Sequence, residues 1–398
     1  MRAKGEGSVF KRPDGRWVAQ ISAGHDQATG NRRRLTRVRS SKKAAYEALA
    51  ELRREVAQPA AFGEVTVELW CRQWLEDCAA RVKAGTLAPK TVVGYESDVR
   101  RHIIPAVGHV RLDQLSPGHV ARMMTAIQAA GMKPRTAGAA RGTLSAALSA
   151  AVADGLLTVN VARAARPPAR PSTSPSAFTD DELDRIAAVC ADHRLGMLFL
   201  FAALTGLRTS ELLGLEWQHV DLEEGRYQVV EGLHRIGATG AAAIGVEPGL
   251  LTSHPKTSGS GDGTPMSPAA VDVLRRWKAA QAAERLASSS WSDSGRVFTT
   301  AAGTPLDPSN VRRQWRKVLA AAKVPATSRA GAGRGLHELR RTFASRLRRA
   351  GVSLEEVQRL GRWSSPAMLL AHYRAVDEVH LRDAAGAGDA GVAWLADS

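Results

Sequence analysis

A proline-rich, basic stretch near the middle of the chain limits the folds that the chain can adopt. It runs from Ala162 to Ser176 and reads ARAARPPARPSTSPS. A segment so rich in proline, serine and arginine does not pack into a core and is typical of a semi-extended connector. We therefore expect separately folded domains on its two sides, and a length of 398 residues is enough for two or three of them.

The charge of the chain favours a polyanionic partner. Basic residues outnumber acidic ones by 16 formal charges, and a protein this basic repels itself unless it binds a polyanion. Nucleic acid is the first candidate, and an acidic membrane is the second. The connector, which carries Arg166 and Arg170, is expected to lie along the same acidic partner.

The sequence also favours a cytoplasmic protein. It contains no run of 18 apolar residues, and its first residues, MRAKGEGSVFKRPDG, have no apolar core for a secretory signal. The three cysteines, Cys71, Cys78 and Cys190, lack metal-binding spacing, and we interpret them as reduced core residues.

Residues 1–57 predict a small α+β domain. Two turn signals, Pro13-Asp14-Gly15 and the stretch from Asp26 to Gly30, separate three segments in which polar and apolar residues alternate. This pattern predicts three short strands. A helix from about Ser41 to Val56 would cover the resulting sheet.

The third predicted strand is rich in arginine. Strand alternation projects Arg32 and Arg34 onto a common face, and Arg37 follows three positions later. A solvated edge that charge protects from aggregation is one interpretation. Because residues 1–57 carry fourteen basic and six acidic residues, we favour DNA contact by Arg32, Arg34 and Arg37.

From Glu64 onward the apolar residues follow a helical period. The first predicted helix carries Val67, Trp70, Cys71, Trp74, Leu75 and Cys78. The second ends at Pro105, the third begins at Ser116-Pro117, and the fourth carries Leu144, Leu148 and Val152. Together they predict an all-α domain of four helices.

Four short segments after the connector carry side chains suited to one reaction. They are TGLRTSEL with Arg208, HPKTSG with Lys256, HELRRTFA with His337 and Arg340, and LGRWSS with Trp363, which Tyr373 follows by ten residues. His337 and Arg340 are one helical turn apart. Each segment alone has a plain structural explanation, such as a surface salt bridge between Arg208 and Glu211 or a tyrosine packed on an apolar helix.

In this order the segments resemble the tyrosine recombinases, the phage integrase family, over about residues 64–385. The resemblance implies an all-α core-binding domain at 64–161, a basic linker at 162–177 and a mostly α, mixed α+β catalytic domain at 178–385. Residues 1–57 look like the arm-type DNA-binding domain of many such integrases. The tail, 386–398, either docks on a neighbouring protomer, as in relatives, or remains unstructured.

The resemblance implies DNA strand exchange without a metal ion, a cofactor or a nucleoside triphosphate. Tyr373 would attack a phosphodiester and leave a 3'-phosphotyrosyl link and a free 5'-hydroxyl. Arg208 and Arg340 would donate to the phosphate oxygens. His337 is the expected base and Lys256 the expected general acid. Trp363 stands where the family has histidine or tryptophan, and its indole N–H can donate one hydrogen bond.

Two arginines depart from the family pattern. Arg362 precedes Trp363 where many members have glycine, and Arg341 follows Arg340 where histidine is common. We expect both to add charge near the phosphate without taking part in the chemistry.

An insertion also departs from the pattern. It is rich in alanine and glycine, runs from Gly237 to Gly249, and separates the predicted strand Tyr227-Gln-Val-Val230 from the turn that carries Lys256. The insertion weakens the assignment of that lysine.

The resemblance also implies partners. A homotetramer would assemble on double-stranded DNA, with the two larger domains on opposite sides of the duplex, and an excisionase and a host DNA-bending protein are candidate partners. The expected source is a phage or another integrative mobile element. Two other functions remain open: a catalytically inactive DNA-binding regulator on the same fold, and a type IB topoisomerase, which shares the chemistry.

Overall fold

A computed structural model describes residues 7–25, 32–57, 65–169, 177–253, 263–328 and 333–366. The chain divides into two compact units, Met1–Arg170 with Ala243–Gly245, and Pro171–Ala242 with Val246–Ser398. No helix within these described ranges is long and apolar enough to cross a membrane. The three cysteines are buried and unpaired, as expected.

The first unit begins with a three-stranded sheet and one helix, as predicted. The elements are β1 (Ser8–Lys11), β2 (Trp17–His25), β3 (Arg32–Arg39) and α1 (Lys42–Ala57). The strands are antiparallel and pair in the order β1-β2-β3. A small core between the sheet and α1 contains Ala19, Ile21, Ala48, Leu49 and Leu52.

Arg37 lies on the side of β3 that faces α1. Its Nη1 is 2.7 Å from Oε2 of Glu51 on that helix. Leu35 packs against the same core, whereas Thr36 and Val38 are exposed. The side chains of Arg32 and Arg34 are outside the described part of the chain, so DNA contact by these three arginines stays a prediction.

The rest of the first unit is helical, as predicted. Its helices are α2 (Val67–Lys83), α3 (Pro89–Asp98), α4 (Ile104–Val107), α5 (Pro117–Ala129), α6 (Pro134–Ala153) and α7 (Val161–Ala164). Thr66 and Ser116 cap α2 and α5 by accepting a backbone N–H through their hydroxyls. The indole of Trp70 donates to Ala147 O at 2.8 Å and joins α2 to α6.

Pro105 does not end the second predicted helix. A π-helical turn, Val99–Ile103, joins α3 to α4, and the N–H of Ile104 donates to Val99 O. Pro105 lies in the first turn of α4, where a helix tolerates a residue without an N–H, and that helix continues to Val107. The predicted stop at Pro105 is wrong because the π turn restarts the helix in front of the proline.

The first residues of the predicted connector pack instead of extending. Ala162 and Ala165 are buried. Arg141 Nη1 donates to Ala162 O at 2.9 Å, and Asn160 Oδ1 accepts the N–H of Ala162 at 3.1 Å, so this backbone is satisfied within the fold. Residues 162–164 are helical and Ala165 is buried, so the prediction of an unpacked, semi-extended connector is wrong for residues 162–165. Arg166 is exposed, and Arg170 lies outside the described residues.

The chain after residue 177 is mostly helical with small sheets, as predicted. Its helices are α8 (Asp180–Ala191), α9 (Gly196–Thr205), α10 (Thr209–Gly214), α11 (Ala238–Ile244), α12 (Pro268–Ala287), α13 (Pro308–Ala321), α14 (Leu336–Arg349) and α15 (Leu354–Gly361). Its strands are β4 (Val220–Asp221), β5 (Arg226–Tyr227), β6 (Gly232–Ile236), β7 (Gly249–Ser253) and β8 (Thr264–Pro265). Phe199, Phe201, Trp277, Phe298 and Trp315 lie in the core.

The insertion has secondary structure of its own. β6 and β7 form an antiparallel pair, with Gly232 opposite Ser253, and α11 lies between them in the chain. The predicted strand at 227–230 is shorter than expected, since only Arg226–Tyr227 pairs, between β4 and β8. The segment that carries Lys256 therefore follows β7 directly in sequence.

Candidate active site

Arg208 is presented by a sharp break between α9 and α10. Gly206 ends α9 in the left-handed region with φ 63°, and Arg208 is the N-cap of α10. A Cβ on Gly206 would come within 2.6 Å of Cδ1 of Phe343, so glycine is required both by the backbone conformation and by the packing. The break falls inside the TGLRTSEL segment, after Thr205.

Glu211 holds Arg208 from one helical turn further on. Arg208 Nη1 donates to Glu211 Oε1 at 2.7 Å, and the Arg208 N–H donates to Oε2 at 3.1 Å. Burial of Glu211 would raise the pKa of its carboxyl, but the guanidinium groups of Arg362 and Arg208 lower the pKa overall. The salt bridge considered at Arg208 therefore exists, although it is not a surface pair, because the Glu211 side chain is only 5% exposed.

Arg340 comes from α14 and is almost completely buried. Its Nη1 donates to Gly206 O at 2.7 Å, and its Nη2 donates to Arg362 O at 3.4 Å. Its guanidinium carbon lies 4.0 Å from the centre of the Trp363 ring. Burial, followed by repulsion from Arg208, lowers the pKa of Arg340 to about 9. The group thus remains charged at neutral pH.

Arg362 joins the same cluster. Its side chain is 6% exposed, and its Nη1 is 3.5 Å from Oε2 of Glu211. Residue 362 ends α15 in the left-handed region, with φ 55°. Arg362 therefore belongs to the charged cluster through both its carbonyl and its side chain, which agrees with the expectation that it adds charge there.

The other predicted residues have mixed positions. His337 is exposed in the first turn of α14, three positions before Arg340. Trp363 is 7% exposed and packs with Ala344 and Val357. The guanidinium of Arg340 lies over its ring. Arg341 forms an ion pair with Glu338, with Nη1 3.1 Å from Oε2.

Two predicted catalytic residues lie outside the described part of the chain. Lys256 comes three positions after β7 ends at Ser253, and Tyr373 comes seven positions after Pro366. Their roles stay predictions.

A second set of contacts fixes the first turn of α14. Arg334, three positions before His337, is buried and donates to both carboxylate oxygens of Glu182 on α8, at 2.7 and 2.6 Å. The N–H of Phe178 donates to Thr342 Oγ1 at 2.9 Å. These contacts join the start of α8 to the helix that carries His337 and Arg340.

The cluster carries more positive than negative charge. Arg208, Arg340 and Arg362 surround the single carboxylate of Glu211. Such an arrangement suits an anion that offers several oxygen acceptors, and a phosphodiester is one. The sequence identifies Arg208 and Arg340, allows a pair between Arg208 and Glu211, and indicates added charge from Arg362. It does not reveal the contact between Arg362 and Glu211, because the two residues are far apart in the chain.

Two known integrases match this chain along almost its whole length. An integrase of Saccharopolyspora erythraea is 24% identical over an alignment of 431 positions, and the match covers 94% of this chain and 94% of the relative. An integrase of Streptomyces ambofaciens is 28% identical over an alignment of 394 positions, and the match covers 94% of this chain and 93% of the relative.

Solved structures share the fold. The Tn1549 transposon integrase in complex with transposon right end DNA matches with a TM-score of 0.63 and 18% identity, over 80% of this chain and 98% of the other. The lambda integrase tetramer bound to a Holliday junction matches with a TM-score of 0.55 and 20% identity, over 95% and 99%.

The family comparison agrees with the four motifs and with the fold. Residues 68–167 match the phage integrase central domain. Residues 176–380, which are more than half of the chain, match the phage integrase family. The chain therefore belongs to the phage integrase family of tyrosine recombinases.

Proposed function

We propose that this tyrosine recombinase cuts and rejoins DNA at specific sites through a 3'-phosphotyrosyl intermediate on Tyr373. The observation that carries the proposal is the meeting of Arg208 and Arg340, from α10 and α14, around one shared turn of backbone at Gly206. Both guanidinium groups are held by protein acceptors before any substrate arrives. Such preorganised donors stabilise charge that develops on a phosphate during attack.

In the proposed reaction, the Tyr373 oxygen forms a bond to phosphorus, and the bond from phosphorus to the 5'-oxygen breaks. A protonated phenol is a poor nucleophile, so His337 takes its proton. Lys256 gives a proton to the leaving 5'-oxygen. The 5'-hydroxyl of a second duplex then attacks the phosphotyrosine and releases Tyr373, so the phosphodiester count is conserved.

Arg340 supports this step because it is charged and shielded. Its pKa of about 9 keeps it protonated at neutral pH. The Trp363 ring covers one face of its guanidinium and limits the access of water there. In this proposal Trp363 contributes chiefly by holding Arg340, and its N–H remains a candidate donor to the phosphate.

The domain assignment is part of the proposal. Residues 1–57 would bind arm sites, 64–161 and 178–385 would surround the core site, 162–177 would link them, and 386–398 would form the tail. The predicted DNA contacts are Arg32, Arg34, Arg37, Arg166 and Arg170. Because Ala162 and Ala165 are buried, the extended part of the linker would begin only after residue 165.

The biological setting is proposed from the family and the fold. Assembly as a homotetramer on DNA is supported by the similarity to the lambda integrase tetramer on a Holliday junction. An excisionase and a host DNA-bending protein would set the direction of the reaction. The enzyme would serve a phage or another mobile element in the cytoplasm.

Covalent trapping tests the proposal. Wild type, Tyr373→Phe and Tyr95→Phe are incubated with nicked duplexes made from the flanks of the gene, and protein–DNA adducts are separated in detergent. Tyr95→Phe is the matched control, because it keeps the ring that packs 4.9 Å from Trp74 and removes only a hydroxyl. We expect adducts with wild type and Tyr95→Phe and none with Tyr373→Phe.

Two results would contradict the proposal. An adduct on Tyr373→Phe would assign the nucleophile to another residue. Binding of the duplexes without any adduct, even for wild type, would favour an inactive DNA-binding regulator on this fold.

A further inference from the structure

Arg362 occupies a backbone position that does not suit arginine. Its φ of 55° lies in the left-handed region, which glycine adopts readily and other residues adopt at a cost. Among the described residues, only Lys323 shares this feature with it outside glycine. An arginine at a helix end where glycine would be easier indicates that its side chain has a use.

The side chain is also buried in an unfavourable way. It is 6% exposed, and in the described part of the chain its two terminal nitrogens have no hydrogen-bond partner. Its Nη1 is within ion-pair distance of Glu211 Oε2, at 3.5 Å, but beyond a good hydrogen bond. Burial of a cation with so few partners destabilises a fold, so stability does not explain this arginine.

Glu211 connects Arg362 to Arg208. Oε1 accepts from Arg208 Nη1, and Oε2 lies between the Arg208 N–H and Arg362 Nη1. Carboxylates and guanidinium groups otherwise favour a parallel pair with two N–H bonds. If Arg362 did not attract Oε2, Glu211 could turn both oxygens to the Arg208 guanidinium. That pairing would occupy the donors that Arg208 needs for a phosphate.

We propose that Arg362 is a positioning residue that holds Glu211 to a single contact with the Arg208 side chain, and so keeps Arg208 open to the scissile phosphate. The inference rests on the proposed function, because it assigns Arg208 to that phosphate. The carbonyl of residue 362 also accepts from Arg340 Nη2, at 3.4 Å. Side-chain substitutions at 362 retain this carbonyl, so the hydrogen bond from Arg340 can persist in them.

The test measures single-turnover adduct formation and duplex binding with the nicked flank duplexes. Arg362→Met removes the charge and retains the bulk, and we expect cleavage to slow by about 10- to 100-fold. We expect duplex affinity to change by less than about threefold. Arg362→Lys, which keeps the charge, should recover at least about tenfold of the lost rate.

A double variant tests whether Arg362 acts through Glu211. In a Glu211→Gln background the side chain is neutral, so Arg362→Met should slow cleavage by less than about threefold. Lys323→Met is the matched control, because it removes a charge at the other left-handed residue, with φ 53°, and we expect no change in rate. If Arg362→Met does not fold, Arg362→Gly relieves the backbone and removes the same charge.

The outcomes separate the inference from the proposed function. Failure of wild type to form an adduct would sink the proposed function. Two results would overturn the role of Arg362 and leave Tyr373 as the nucleophile. One is that Arg362→Met cleaves at the wild-type rate. The other is that Arg362→Met slows cleavage equally whether residue 211 is Glu or Gln. Loss of rate that Arg362→Lys fails to restore would assign Arg362 a structural role only.

Discussion

Arg340 has surroundings that a lysine cannot reproduce. Two of its nitrogens donate to backbone carbonyls, at Gly206 and at position 362, and its plane stacks on Trp363. A lysine ammonium is a point charge that lacks the planar fork. In the proposed reaction, the contribution of Arg340 would therefore depend on the shape of the guanidinium as well as on its charge.

We expect Arg340→Lys to slow adduct formation by about 100- to 1,000-fold, because a donor aimed at the phosphate is lost. Duplex affinity should change much less, since the other basic residues of a chain with a formal charge of +16 would still neutralise phosphates. Rates of single-turnover adduct formation and a binding titration measure the two effects. Arg341→Lys, at the next position, is the control: Arg341 pairs with Glu338, and we expect that variant to cleave normally.

A comparable loss in both arginine variants, which keep the charge, would mean that the guanidinium shape matters equally at both positions, so the buried fork of Arg340 would have no special part. Normal cleavage by Arg340→Lys would show that a charge at position 340 is sufficient and that the planar fork is not required.

At the scale of elements, the start of α14 is fixed by α8. Glu182 is the N3 residue of the capping box that Thr179 opens, and it also accepts two hydrogen bonds from buried Arg334. Arg334 stacks on Phe178, with its guanidinium carbon 4.1 Å from the ring centre. One carboxylate thus stabilises a helix N-terminus and the segment that leads to His337.

This carboxylate predicts a pH-dependent stability. The hydrogen bonds from Arg334 lower the pKa of Glu182 below 4.5, although burial opposes the shift. A group whose folded pKa is lowered stabilises the fold above its unfolded pKa, and the effect disappears as the pH falls through the folded value. At neutral pH, Glu182→Gln should cost about 1.5–3 kcal/mol of unfolding free energy.

Urea denaturation at a series of pH values measures the difference between wild type and Glu182→Gln. We expect it to be constant near neutrality and to shrink below about pH 4.5. Glu356→Gln is the matched control, because Glu356 holds the same N3 position in the capping box of α15 but is exposed. A difference for Glu182→Gln that is small or independent of pH would show that its pair with Arg334 adds no stability.

The elements also show what a sequence can reveal. α2, α5 and α6 follow from a strong apolar period and from caps such as Ser116-Pro117. The continuation past Pro105 depends on a π turn that has no sequence signature. Arg208 and Arg340 follow from motifs, but the pair between Arg334 and Glu182 spans 152 positions, and no local pattern indicates a contact at that distance.

At the scale of the whole molecule, positive charge governs DNA binding. The chain carries a formal charge of +16, and phosphate neutralisation releases counterions from the duplex. The logarithm of the association constant should therefore fall linearly with the logarithm of the salt concentration, with a slope of about −0.9 for each phosphate contacted. This dependence should hold for DNA of any sequence, because it does not depend on base contacts.

The proposed contact between the linker and DNA can be measured as a change in that salt dependence. Arg166 is exposed, and if it meets a phosphate, Arg166→Gln should make the slope shallower by about 1 and weaken binding at every sequence alike. Arg276→Gln removes an exposed arginine that pairs with Asp272 on α12, at 2.9 Å, and we expect it to leave the slope unchanged. Equal slopes for Arg166→Gln and wild type would place Arg166 away from the DNA.

A wild-type association constant that did not change with salt would contradict binding by domains on opposite sides of the duplex, because such an arrangement cannot avoid many phosphate contacts.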